Sequence, residues 1–426
     1  MSRHPLLGFY ETLSPLAESL LPFAARFSEK LAAGVAGRQG LMARLAASAD
    51  TVRGGIWFHV TSVGEYEQAR PVIQALQARP DCPPIMVTHF SPSGYEYALK
   101  RPCADLHDYL PFDHPAQMRQ LVALWQPRLL VFVKFDCWPN QVLAADDAGV
   151  PIVLLAGSLQ PESARLGRLA KPFFRDLYNR FAHLGVCTED DARRFRDRLQ
   201  VQAPVSVTGD TRVEQVILRY EAARDGDTAT ALKALGGRLF VLGSTWPPDE
   251  KLWWPVLPQL LAEFPEMRVV LTPHEPTGPR LADLESRLAT QAVPVQRLSA
   301  FMDAPDPTAR VILVDSIGVL AEIYRAGHLA YVGGSFTTGV HNTMEPAVGA
   351  MPVLFGPVIR NAEEAGVLAK CGAGFILSRP EEALAKARDL LADEALRTEL
   401  GARARQVVLD QRGATVKSVK VLDPFL

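Results

Sequence analysis

The apolar residues of this chain come in short unbroken runs with helical patterns between most of them. The first series is IWFHVTS (56–62), IMVTH (85–89), LLVFVKF (129–135), PIVLLAG (151–157) and VSVTG (205–209). The second is LFVLGS (239–244), RVVLT (268–272), VILVDS (311–316), HLAYVGG (328–334), PVLFG (352–356) and GFILS (374–378). A strand that is apolar at nearly every position is covered on both faces, and strands spaced by helices form parallel sheets. The pattern predicts an α/β protein. Between the series lies RYEAARDGDTATALKALGG (219–237), polar and poor in large apolar residues. A domain boundary is expected there, near residue 220, giving two Rossmann-like halves, 1–220 and 221–407, with no internal repeat. In such sheets ligands bind beyond the carboxyl ends of the strands, and a cleft between two halves is the default site.

Polar residues fall at those carboxyl ends. In the second half they are Gly243-Ser244-Thr245, Pro273-His274-Glu275, Asp315-Ser316-Ile317-Gly318 and Gly333-Gly334-Ser335, each expected to precede a helix. Glycines and hydroxyls before a helix expose backbone N–H groups, and a helix N-terminus favours an anion. Several such turns on one edge point to a nucleotide phosphate. No GxGxxG fingerprint or Walker A loop is present, which argues against a dehydrogenase or an ATPase. Further on, Glu345 opens a helical segment expected over 343–350. It reads either as an acid stabilised by the helix dipole or as a carboxylate that accepts from two ribose hydroxyls, flanked by Asn342. His341 fits a core histidine equally well.

In the first half, IWFHV runs into TSVGEYEQARPVIQAL. Ser62 and Glu65 have the spacing of a capping box. Pro71 opposes a helix begun there, since an interior proline costs about 3 kcal/mol. It favours a start near Tyr66 to Ala69, or else a kink. The later start would leave Gly64 and Glu65 on the turn, with Glu65 a candidate general base. Both readings stay open. VFVKFDCWPN places Lys134 and Asp136 at another strand end, where charge argues against a core position. VTGDTRVEQV does the same with Asp210 and Arg212 near the boundary.

A net charge of −2 gives no global attraction for nucleic acid. The five cysteines are scattered, without CxxC or HExxH, so neither a zinc site nor a disulfide framework is signalled, and a reducing compartment fits. No apolar run of about 18 residues marks a spanning helix, and the N-terminus lacks the basic-then-apolar layout of a signal peptide. Leu13, Leu16, Leu20, Phe23, Phe27 and Leu31 nevertheless recur at helical spacing, interrupted by Pro22 and flanked by Arg26, Lys30 and Arg38. They predict a helix either packed on its own domain or lying on a membrane surface. In ESARLGRLAKPFFRDLYNRF (162–181), Arg165, Arg168, Lys171 and Arg175 recur at steps of three and four. That stripe is either a solvated face or a surface for anionic headgroups.

WFHVTSVGEYEQARPVI, FSPSGYE, FVKFDCWPN, GDTR, GSTWPPDE, PHE, DSIGVLAEIY and VGGSFTTGVHNTMEPAVGAMPVLFGP occur in order from about residue 56 to 357. Together they resemble the motifs of the 3-deoxy-D-manno-octulosonic acid (Kdo) transferases of Gram-negative bacteria, and RNAEEAGVLAKCGAGF extends the match. The resemblance implies a GT-B fold, with a cleft between two Rossmann-like domains and a C-terminal helix, about 408–426, returning to the first. It implies inverting transfer of Kdo from CMP-Kdo, bound by the second domain, to the lipid A precursor (lipid IVA), bound by the first. No cofactor and no metal is required, and attachment to the cytoplasmic face of the inner membrane is peripheral.

Residue by residue, Glu65 of SVGE matches the family's general base. Arg212 falls on a basic position of its Gly-Asn-x-Lys motif and would stabilise charge on the leaving phosphate or the Kdo carboxylate. His274 and Glu275 align with an Arg-His donor pair, and Ile317, Gly318 and Val319 with a Met-Gly-Glu turn. Asn342, Thr343, Met344 and Glu345 align with the Asn-x-x-Glu that holds the CMP ribose. Ser244, Thr245, Gly334 and Ser335 complete the donor side as strand-end positions. Three positions depart from the pattern. The family's Glu-Thr-Glu is Lys134-Phe135-Asp136 here, which leaves the transition-state role open between Lys134 and Asp136. The Arg-His pair is His-Glu, one cation fewer, and the Met-Gly-Glu turn has Val319 in place of its acid. Two other readings stand beside this one. One is another GT-B sugar-nucleotide enzyme acting on a different glycolipid. The other is a non-catalytic nucleotide-sugar-binding homologue, against which Glu65 counts.

Overall fold

The computed structural model describes residues 4–134 and 136–426, with Asp225 described by its backbone alone; Phe135, the end of the run 129–135, lies outside the described residues. The chain forms two compact units, Met1–Glu214 with Arg412–Leu426, and Gln215–Gln411. The division falls inside the helix Arg212–Ala222 and not in the polar stretch 219–237. Glu214 accepts the backbone N–H groups of Gly413 (2.9 Å) and Thr415 (3.2 Å), which ties the start of that helix to the C-terminal segment. The polar stretch instead folds into Asp227–Ala234, whose Leu232 is buried in a core of the second unit.

In the first unit, β1 (Ile56–Val60), β2 (Ile85–His89), β3 (Leu106–Tyr109), β4 (Leu129–Val133), β5 (Ile152–Gly157), β6 (His183–Val186) and β7 (Val205–Val207) form one parallel sheet. Their order is β3-β2-β1-β4-β5-β6-β7. The apolar runs account for five of these strands. LHDY of β3 and HLGV of β6 carry too much polar character to stand out, and β3 lies at the sheet edge. Alternate residues of β1 feed opposite cores: Trp57 packs with Trp125 and Phe132, while Phe58 packs with Val87 and Val131. The second core also takes Val419 and Leu422 of the C-terminal helix Ala414–Leu422.

In the second unit, β8 (Leu239–Thr245), β9 (Arg268–Pro273), β10 (Val295–Arg297), β11 (Val311–Leu313), β12 (Leu329–Val332), β13 (Val353–Phe355) and β14 (Gly374–Ile376) form a second parallel sheet. Their order is β10-β11-β9-β8-β12-β13-β14. In each unit the strand order reverses beside the first strand: β1 lies between β2 and β4, and β8 between β9 and β12. Successive crossovers leave such a strand toward opposite faces, which opens a crevice at the carboxyl ends.

Two surface expectations change. The N-terminal stripe is not one helix through Leu31. The helix Pro5–Ala24 gives way to a short turn, Ala25–Phe27, and Ser28 caps a second helix, Glu29–Gly37. Nor is its apolar face packed on the unit beneath. Leu16, Leu20, Phe23 and Phe27 are 63%, 66%, 61% and 79% exposed, and Leu7 is the buried residue of that first helix. The basic stripe is also broken. Extended backbone at Gly167 separates the turn Ala164–Leu166 from the helix Lys171–Tyr178, which opens with Pro172. Arg168 and Arg175 face solvent and Lys171 is half-buried, whereas Arg165 turns inward to Asp136. Among the described residues, no helix is long and apolar enough to cross a membrane.

Candidate functional site

The first cluster sits at the reversal point of the first sheet. β1 and β4 pair with Ile56 opposite Leu129 and His59 opposite Phe132, and continuing that register brings Thr61 level with Lys134. The chain then turns into the helix Val63–Gln77. Ser62 is its N-cap, accepting the Glu65 N–H at 3.3 Å. The later start near Tyr66 to Ala69 is therefore not observed. Pro71 lies inside the helix, where its buried neighbours Ala69, Val72, Ile73 and Leu76 offset the lost backbone bond through packing. Capping does not exhaust Glu65, however. Its carboxylate reaches back past Ser62 to Thr61, accepting from the Thr61 N–H and, at 2.6 Å, from the Thr61 hydroxyl.

Glu65 is 2% exposed. Burial pushes its carboxyl up to about 7; the two Thr61 hydrogen bonds and Lys134 pull it down, and Asp136 adds to the rise. A carboxyl that titrates near neutrality is matched to proton transfer. The Thr61 hydroxyl also lies 3.0 Å from Asp136 Oδ2, and Asp136 Oδ1 lies 3.3 Å from Arg165. Lys134 holds a left-handed backbone, φ +73°, at the end of β4, a conformation uncommon without glycine and kept only where surrounding structure imposes it.

Asp210 and Arg212 reach the same helix through Gln68. Gln68 Nε2 donates to Asp210 Oδ1 at 3.0 Å, and Thr211 donates its hydroxyl to the Gln68 carbonyl. Burial raises the Asp210 carboxyl, but Arg212 and Gln68 outweigh it and hold the group below its ordinary value. Arg212 Nη2 lies 2.6 Å from Asp210 Oδ2.

At the reversal point of the second sheet the same strand-end residues do different work. Ser244, φ +52°, is a left-handed residue where the register between β8 and β9 shifts. Thr245 is buried and donates to Glu250 at 2.9 Å. Gly334 has φ +91°, and a Cβ on it would lie 2.8 Å from the His341 ring; one on Gly333 would lie 2.3 Å from the Ser244 carbonyl oxygen. These glycines make room for the protein's own chain. The expectation of free backbone donors for a phosphate is corrected at two positions. Gly334 donates its N–H to buried Asp249 at 2.9 Å, and the hydroxyl of fully buried Ser335 accepts from Gly356 at 2.6 Å. No helix follows directly on Ser335; the next is Met344–Val348, shorter than the expected 343–350. Thr343 and Met344 are also buried.

Of the remaining expected positions, His274, Glu275, Ile317 and Gly318 are exposed, and Ser244, Val319, Asn342 and Glu345 are half-buried. Glu345 accepts from Asn342 at 3.3 Å and lies 3.8 Å from Arg219, a partner the sequence did not single out. His274 stacks on both His341 (4.3 Å) and Trp246 (4.7 Å), and Trp246 donates its indole N–H to His341 Nε2 at 2.9 Å. Burial and His274 push His341 down to about 4, so it is a neutral imidazole with its proton on Nδ1. Among the described residues, no group of three His, Cys, Asp or Glu is placed to hold a metal ion. Thr61 and Trp246 escaped the sequence reading, which put Arg165 in the surface stripe and not beside Asp136. Gly167 and Pro172 were the available signal that Arg165 leaves the stripe.

Two Rossmann-like units, each with polar residues gathered at the reversal point of its sheet, make the fold GT-B. A solved UDP-N-acetylglucosamine 2-epimerase shares that fold, with a TM-score of 0.62 over 88% of this chain and 96% of that one at 14% identity. A family model described as 3-deoxy-D-manno-octulosonic-acid transferase (kdotransferase) matches residues 24–215. The 3-deoxy-D-manno-octulosonic acid transferase of Haemophilus influenzae is 27% identical over 87% of this chain and 87% of its own. That of Bordetella pertussis is 29% identical, also over 87% of each. These likenesses, which run over most of the chain, make the protein a glycosyltransferase similar to the 3-deoxy-D-manno-octulosonic acid transferases.

Proposed function

We propose that this protein transfers Kdo from CMP-Kdo to the lipid A precursor, lipid IVA, in lipopolysaccharide biosynthesis, with inversion and without a metal. The observation that carries the reading is Glu65, a buried carboxyl poised near neutrality at the first turn of its helix. The acceptor hydroxyl attacks the anomeric carbon of Kdo, gives its proton to Glu65, and the bond to the CMP phosphate breaks on the opposite face. Arg212 and Lys134 are the cations available to the developing negative charge. In the second unit, Glu345 and Asn342 are assigned to the ribose and exposed His274 to the nucleotide. The acceptor is a lipid. The exposed apolar face of Pro5–Ala24, with Arg168, Lys171 and Arg175, is accordingly assigned to the cytoplasmic face of the inner membrane. The test is to incubate the protein with CMP-Kdo and tetra-acylated lipid A precursor, with and without a chelator, and weigh the products by mass spectrometry. A Kdo mass increment that survives the chelator is expected. No increment with CMP-Kdo would overturn the reading.

A further inference from the structure

A buried base that takes a proton at each turnover must lose it again. Glu65 is 2% exposed, and in the proposed reaction the acceptor takes up that opening. Thr61 is half-buried, and the Asp136 side chain is 39% exposed. Thr61 Oγ1 lies 2.6 Å from Glu65 Oε2 and 3.0 Å from Asp136 Oδ2. A hydroxyl has a single proton to donate. With both carboxyls ionised it can satisfy only one of these contacts; with Glu65 protonated, Glu65 donates to Thr61 and Thr61 to Asp136, and both are hydrogen bonds.

We propose that Thr61 and Asp136 form a relay that returns the proton from Glu65 to solvent. This rests on the general-base role given to Glu65 above. The steps balance: the acceptor O–H proton moves to Glu65, Glu65 passes a proton to Thr61 Oγ1 as Thr61 passes its own to Asp136 Oδ2, and Asp136 releases one to water. Thr61 acts through Glu65 and is a positioning residue. The charged and titratable groups facing this path are Lys134 and Asp136 beside Glu65, Cys137 next in the chain with Tyr178 against it, and Arg165, which pairs with Asp136. Arg165 pairs with Asp136 Oδ1, and Oδ2 is the oxygen that accepts from Thr61.

The test uses the full chain and three variants, Thr61→Val, Thr61→Ser and Asp136→Asn. Turnover is measured against pH, and the Glu65 carboxyl is titrated by carbon NMR, assigned with Glu65→Gln. Thr61→Val removes a donor to the ionised form, so its Glu65 midpoint should rise by about one pH unit, and turnover should fall roughly tenfold, part of the general-base effect. Serine should restore both. Asp136→Asn should also slow turnover but move the midpoint down, because a like charge is gone. Opposite shifts with a common loss of rate are the expected signature. The relay is overturned if Thr61→Val keeps wild-type turnover, if serine fails to repair its loss, or if Asp136→Asn keeps full turnover. If valine upsets the turn, Thr61→Ser and Asp136→Asn still decide. Should wild type transfer no Kdo, the functional reading fails, and the NMR midpoints still report the coupling.

Discussion

Glu65 and Asp249 occupy matching places in the two units. Each is the third residue of the helix that follows the first strand of its sheet, each is almost completely buried, and burial raises each carboxyl above its ordinary range. Their partners differ. Asp249 accepts from the Tyr331 hydroxyl (2.7 Å), the Gly334 N–H and the Trp246 N–H (both 2.9 Å), groups that belong to β12 with its following turn and to the turn after β8. Among the described residues, Glu65 accepts hydrogen bonds from Thr61 alone, and it faces a second carboxyl at Asp136. An acid saturated by donors from several elements holds those elements together. An acid with few donors and a like charge nearby stays available for a proton. The same slot is thus a fastening in one unit and, in the function proposed above, the general base in the other.

The sharpest way to break this comparison is to neutralise each acid. Glu65→Gln should slow transfer by about 10²–10⁴-fold, measured by product mass, while CMP still binds. Wild-type turnover in that variant would make Glu65 a cap and nothing more. Asp249→Ala should instead destabilise the protein by about 3 kcal/mol in urea unfolding, because three buried donors lose their acceptor.

Glu65→Gln should have the opposite effect on stability at high pH. Its folded-state value, about 7, lies above the ordinary 4.5. The favourable contribution of the neutral acid is complete below 4.5 and lost as pH rises through 7. Glutamine does not titrate. The variant should therefore gain on wild type between pH 4.5 and 8, by up to about 3 kcal/mol, read as a melting-temperature gap that opens with pH.

Within the second unit, Glu345→Ala should weaken CMP binding by about 1.5–3 kcal/mol, the scale of a charged hydrogen bond. Calorimetry with CMP checks this, and an unchanged affinity would return Glu345 to its pairing with Arg219 and Asn342. The comparison extends to surfaces. Exposed large apolar residues run together along Pro5–Ala24 and on to Phe27 in the first unit, whereas those of the second, such as Met302, Ile317 and Val367, are scattered. Charge reversal at Arg168 and Lys171 together should weaken binding to anionic liposomes by roughly 1 kcal/mol per residue and leave CMP affinity alone. Equal sedimentation with neutral and anionic liposomes would remove the membrane assignment.

The sequence by itself determined the two parallel sheets, because strands covered on both faces are written as unbroken apolar runs such as LLVFV and LFVLG. It also placed the candidate site residues at strand ends, since Gly, Ser, Lys and Asp at such positions are local signals. It missed β3, β6 and β10, whose residues LHDY, HLGV and VQR carry too little apolar character to show. Pro71 pointed to a later helix start, and the packing of its helix overrode that local cost. What the tertiary structure alone decided is who partners whom. Thr61 meets Asp136 across 75 residues, Gly334 meets Asp249 across 85, and Arg219 lies beside Glu345. Whether a buried carboxyl fastens or reacts depends on the number and charge of such partners. Those are supplied by strands that lie side by side in the sheet and far apart along the chain, so no local pattern could disclose them.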